Sequence, residues 1–196
     1  MKGTAEAATA EDLGRRGAWR FTREYHVEPR LARTFHHLYE TAFGPLRVQA
    51  LARQVLTECE FYAQMTDGSV MKYVAWDDVG RPVGLCTLTR RLESVPWISP
   101  EYFAHHYPEH WRRNAIWYFG FVLAHPSERH SRFVDQLIDV GIGELVAEQA
   151  ICAWDMCAYN DATLGMGARL ADSFQRLTGV APRLADVQNY YTLDLT

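Results

Sequence analysis

Apolar and polar positions along the chain fall into segments whose period switches between two and about 3.6 residues. Residues 19–27, WRFTREYHV, have the aromatic and β-branched content of a strand. Pro29 suits the first turn of a helix. Leu31, Phe35, Leu38 and Ala42 then recur at helical spacing and make one apolar face. Gly44 and Pro45 break that helix. A second helix is expected over about 46–65, with Leu51, Val55, Cys59 and Tyr62 as its stripe. VMKYVAW (70–76) and PVGLCTLTR (82–90) are strand-like runs. DDVGR between them supplies a turn in which Gly80 is free to take positive φ, so the two runs should pair antiparallel.

Residues 91–114 hold three prolines and several aromatics, the mark of an ordered insertion. AIWYFGFVLA (115–124) is a long apolar run, expected as a central strand buried on both faces. A helix should follow over about 131–149, with Val134, Leu137, Ile138, Ile142 and Leu145 inward. ICAWDMCAY (151–159) is expected as a strand, 163–177 as the last helix ended at Gly179, and NYYTLDL (189–195) as a closing strand. The predicted order is β, α, α, β, β, insertion, β, α, β, α, β. The first 18 residues, rich in Ala, Gly and charge, read as a mobile lead-in before a single domain over 19–196.

Composition narrows the function classes. A formal net charge of −4 argues against a protein built mainly to grip nucleic acid. No apolar run reaches the roughly 18 residues of a membrane span, and the start lacks the apolar stretch of a secretory signal. Cys59, Cys86, Cys152 and Cys157 form no CxxC pair and read as reduced thiols of a cytoplasmic protein. His106 and His110 have the i, i+4 spacing of two metal ligands on a helix, but Pro108 lies between them and disfavours a regular helix. No metal is expected. A substrate-lining role for this aromatic insertion is the better functional reading, and packing the plainest one.

VLAHPSERHSRFVDQL (122–137) passes from strand through a tight loop into a helix, a common seat for phosphate, yet it contains no glycine. With its surroundings it resembles the GNAT (N-acetyltransferase-like) acyltransferase superfamily, as a divergent member. The likeness covers about residues 20–195. It lies in the two early helices, the DDVGR hairpin followed by Val83–Gly84, the long strand ending Ala124-His125-Pro126, Asn160 after the next strand, and the Phe174…Gly179 end of the last helix. The resemblance implies an α/β GNAT-like fold, with a mixed, mostly antiparallel sheet flanked by helices. It also implies a strand edge at Val122 and Ala124 whose backbone pairs with a pantetheine arm, as an added strand would. The family loop is (Gln or Arg)-x-x-Gly-x-(Gly or Ala), and its amides hold the pyrophosphate. Here Arg129 fits the first place, while Arg132 and Val134 stand where small residues belong. Side chains there crowd phosphate oxygens that want bare backbone. Ser131 can cap the helix and donate to a phosphate, and Arg129, His130 and Arg132 can supply charge. Many relatives place a proton-donating tyrosine near the end of the last helix. Phe174, at or next to that place, has no proton to give.

The cofactor this implies is acetyl-CoA, another acyl-CoA, or a phosphopantetheine thioester. Acyl transfer to an amine needs a base, a polarised carbonyl and a protonated or solvated thiolate. Asp155 lies in an otherwise apolar run, where burial raises a carboxyl pKa unless a partner offsets it. A structural Asp bonded to backbone or to an arginine is the plainer alternative. Tyr159 is the acid the sequence offers in place of the missing tyrosine. The expected activity is acylation of a small-molecule amine, in a specialised pathway, with an acyl carrier protein as a possible partner, possible homodimer formation, and no nucleic acid or membrane. The competing expectation is an inactive or repurposed GNAT-like binding or regulatory protein, which Arg132, Val134 and Phe174 favour.

Overall fold

The computed structural model describes residues 10–128 and 133–196. The chain divides into two compact units. The first comprises residues up to Ala42 together with Leu56–Asp155; the second comprises Phe43–Val55 and Met156–Thr196.

The first unit is a six-stranded sheet in sequence order. Its strands are β1 (Ala10–Arg16), β2 (Trp19–Glu24), β3 (Val70–Trp76), β4 (Pro82–Thr89), β5 (Ile116–Ala124) and β6 (Ile151–Ala153). Neighbours pair antiparallel except β5 and β6, which are parallel. β1 replaces part of the expected lead-in: Gly17 takes φ +61° in the turn, and Arg16 faces Trp19 across a tight hairpin. The β3–β4 hairpin forms as predicted, with Gly80 at φ +79° and Asp77 accepting from the Val79 and Arg81 amides.

Helices cover both faces. Tyr73, Cys86 and Leu88 share one face, and α5 (Phe133–Ala147) lies on it. The close approach is made at Gly141, where an added Cβ would meet Leu88 at 3.1 Å. Phe121 points to the opposite face. There Tyr39 of α1 (Pro29–Phe43) meets it edge-on and Phe61 of α2 (Glu58–Thr66) stacks on it, with centroids 5.1 and 6.1 Å away. The second helix is therefore shorter than its apolar stripe implied. Thr57 and Glu60 form a capping box that starts it at Glu58, and residues 44–47 form only a 3₁₀ turn. The insertion folds as α3 (Pro100–His106) and α4 (Pro108–Arg112), and Pro108 separates His106 from His110 as expected. Leu92, Val95, Phe103, Ile116 and Tyr118 make its buried cluster.

Lys72 is fully buried on β3, its Nζ donating to Tyr25 O at 2.8 Å and Asp67 O at 2.6 Å. Burial lowers its pKa from 10.5 to about 8, against the pull of Asp67. Between those values the unfolded chain binds the extra proton, so stability from this group is present above 10.5 and is lost as pH falls through about 8. Lys72→Met should remove roughly 3 kcal/mol of the stability that the parent gains between neutral pH and pH 10.5. Urea titrations of both proteins at several pH values measure this, and equal pH slopes would show that the carbonyls keep Lys72 charged.

The second unit holds a single π-helical turn (Tyr159–Thr163) and α6 (Met166–Thr178). Gly165 and Gly179, both left-handed, bracket that helix. Residues 189–195 form no strand: this unit contains no other strand to pair with, and an isolated strand is not stable in water.

Candidate active site

β5 carries the feature that matters most. Its pairing with β4 runs Gly84 to Ala124, Leu85 to Leu123 and Cys86 to Val122, then shifts before Leu88 meets Phe119. Thr87 thus faces both Gly120 and Phe121, a β-bulge. Thr87 Oγ1 accepts the Phe121 amide at 3.2 Å, and a Cβ on Gly120 would come within 2.5 Å of that oxygen. Only glycine leaves the bulge undisturbed. The His125 amide donates to Val83 O at 2.8 Å, which makes His125–Val83 a hydrogen-bonded pair. Bonded and non-bonded pairs alternate in an antiparallel ladder, so Leu123–Leu85 is the next bonded pair. Val122 and Ala124 fall between, and their N–H and C=O groups face away from β4.

That outer edge is open. β6 pairs only with Ile116–Tyr118, and among the described residues no strand pairs with β5 beyond Tyr118 on this side. The bulge accounts for it. Extra twist turns β5 out of line with β6, and the ladder stops at Ala153. The strand expected over 151–159 therefore ends six residues early. Asp155 shares no strand face with Cys157 and Tyr159.

Asp155 is clamped instead. Trp97 Nε1 donates to its Oδ1 at 2.9 Å and to Tyr118 Oη at 2.8 Å, and the Tyr118 hydroxyl donates to the same carboxylate oxygen. Tyr118 is buried, and Trp97 is about half exposed. Desolvation raises the Asp155 carboxyl above the ordinary carboxylate range, with the Trp97 N–H opposing that shift. Its own backbone amide also opposes the shift, so the carboxylate is held by two aromatic donors with help from the backbone. Trp97 and Tyr118 stand 58 and 37 residues away in sequence, so no local signal links them to Asp155. Tyr118 pairs with Ala153 at the last rung before the open edge, which puts the carboxylate beside the point where β5 and β6 part.

The second unit contains Tyr159, which is half-buried, and Asn160, which is buried. Phe174 is buried on α6 beside Ser173. Arg129, His130, Ser131 and Arg132 lie outside the described residues. Among the described residues, no three His, Cys, Asp or Glu side chains gather as metal ligands, and no helix is long and apolar enough to cross a membrane.

No protein-family model and no curated protein sequence matches the chain. Solved structures do. An aminoglycoside acetyltransferase from an uncultured soil metagenomic sample, seen in complexes with trehalose and with sisomicin, superimposes with a TM-score of 0.50. It is 13% identical over 90% of this chain and 97% of its own. A ribosomal-protein-alanine N-acetyltransferase from Brucella melitensis biovar Abortus 2308 gives a TM-score of 0.48 at 15% identity, over 90% of this chain and 99% of its own. The likeness to the metagenomic enzyme shows the fold: this is a GNAT-like α/β chain.

Proposed function

We propose that this GNAT-like chain is an acyltransferase that takes an acyl thioester carried on phosphopantetheine, as acyl-CoA or on a carrier protein, and acylates a small-molecule amine. The open edge of β5 carries the reading. Backbone groups at Val122 and Ala124 that face no strand fit the amides of a pantetheine arm, which can pair with them as one more strand. Such a thioester supplies an activated carbonyl. In this reading the Val122 amide hydrogen-bonds the carbonyl oxygen as it gains charge. Asp155, its carboxyl pKa raised by desolvation, takes the proton that the attacking ammonium must lose. Trp97 and Tyr118 hold the carboxylate in one rotamer, so it need not be ordered during the reaction. Tyr159 is proposed as the acid for the departing thiolate, and Asn160 with Arg129, His130, Ser131 and Arg132 as the contacts of the pantetheine phosphates. These roles rest on sequence position.

Calorimetry with acetyl-CoA, CoA and a phosphopantetheinylated carrier protein tests the donor. Heat is expected from at least one of the three at sub-millimolar concentration; heat from none would end the acyl-donor reading. A second reading, a binding module without turnover, is favoured by Phe174, which puts an aromatic ring without a hydroxyl where a proton donor is expected. Donor binding without product across a broad amine panel would select it.

A further inference from the structure

A groove of about 570 Å³ opens beside the first turns of α1, within the first unit. Arg30, Arg33, His37 and Leu38 come from α1, Pro82 opens β4, and His125 follows β5. Two arginines and two histidines line this groove and no carboxylate does. Among the described residues, neither arginine side chain has an ion pair or hydrogen bond.

The placement is unfavourable for an empty groove. The first turn of α1 contains no acidic residue, so Arg30 sits where the peptide dipoles are already positive, with Arg33 one turn further on. A bound anion relieves both charges and the dipole together. His125 is set up to help. Its Nδ1 lies 3.3 Å from the Ser127 amide and 2.8 Å from Ser127 Oγ. An amide can only donate, so Nδ1 accepts, and in the neutral ring the proton is on Nε2. That leaves an N–H donor on a residue lining the groove. Thr34 contributes no donor, since its hydroxyl is given to Arg30 O at 3.3 Å.

We infer that this groove binds a phosphomonoester. Two guanidinium forks and an imidazole N–H match a tetrahedral dianion, with its several acceptor oxygens, better than a single carboxylate. The groove is larger than a bare phosphate, and Leu38 and Pro82 give the organic part of the ligand an apolar seat. The phosphate comes either from the 3′-phosphate of CoA or from a free phosphorylated metabolite.

The test titrates inorganic phosphate into the full chain and follows the imidazole signals of His37 and His125 by NMR, with chloride at matched ionic strength as the control. Saturable, phosphate-specific shifts at both rings are expected. Absence of shifts up to about 50 mM, a concentration that detects even very weak sites, overturns the site, and so do equal shifts with chloride. Arg30→Gln with Arg33→Gln should weaken phosphate about 10-fold or more, the loss of at least one charge-assisted bond; unchanged affinity overturns the site. Should that double variant fail to fold, Arg33→Lys, which keeps charge but loses the fork, is expected to give a smaller loss, and no loss counts against the site. Competition by CoA but not by dephospho-CoA assigns the 3′-phosphate as the source. Competition by neither assigns a free phosphorylated metabolite. The titration needs no acyl donor and no turnover, so its outcome is independent of the transferase reading.

Discussion

Asp155→Asn should lower the turnover of amine acylation by about 10²–10⁴-fold at neutral pH, the span typical of a lost general base. Asparagine keeps an oxygen for the Trp97 N–H, so the clamp and the fold should survive. The pH dependence carries the sign. Asp155 acts as a base only when ionised, and burial raises its pKa, so parent activity should rise with pH through a limb above the ordinary carboxylate range. The variant should lack that limb. Stability moves the other way. A carboxyl with a raised folded pKa contributes stability below its unfolded value and loses it as pH rises through the folded one. At neutral pH the asparagine variant should therefore melt no lower than the parent while turning over far more slowly. A variant with parental turnover and an unchanged profile would remove Asp155 from the chemistry and leave it as a strut for Trp97 and Tyr118.

Phe133→Ala should destabilise the protein by about 3–5 kcal/mol, the cost of emptying a buried aromatic site. The ring is fully buried at the first position of α5. It fits against β4 only because residue 84 is glycine: a Cβ there would lie 2.4 Å from the ring's Cζ. Trp19 meets its other side edge-on, with centroids 5.2 Å apart. The ring thus pins the amino end of α5 to the sheet next to Ala124, which pairs with Gly84. A drop in melting temperature of roughly 10 °C is expected for a chain of this length. Gly84→Ala should also destabilise, by roughly 1–3 kcal/mol, through crowding rather than through loss. A loss under about 1 kcal/mol in Phe133→Ala would mean that the space refills and that the helix end is held elsewhere.

The strands were legible wherever pattern and turn agreed. VMKYVAW and PVGLCTLT are strand-like runs flanking a turn that needs positive φ at Gly80, and nothing competes with that pairing. The departures have two causes, one local and one set by the fold. Leu51 and Val55 continue a helical stripe, but Thr57 and Glu60 restart the helix, and the Thr-x-x-Glu spacing was there to be read. ICAWDMCAY has the composition of a long strand, but a strand lasts only as long as its neighbour, and β5 turns away at Gly120. NYYTLDL lacks a neighbour altogether in its unit. For the site, burial pressure on Asp155 could be inferred from its apolar surroundings. The identity of its partners could not, because Trp97 and Tyr118 reach it only through the fold. The arginine groove leaves no mark in the sequence, because Arg30 and Arg33 are ordinary exposed positions of an amphipathic helix until the fold brings His125 beside them.

The extra residue in β5 also resets which side chains belong together. Before it, Trp117 and Phe119 lie on the side covered by α5; after it, Val122 and Ala124 do. Odd numbers give way to even ones. A cysteine-labelling or saturation scan along 116–124 that assumes strict alternation would assign every position past Gly120 to the wrong side of the sheet. Deleting Gly120 would leave Phe121 alone opposite Thr87 and remove the extra twist, so that β5 could run on beside β6 and the slot at Val122 and Ala124 would close without a change to any of its side chains.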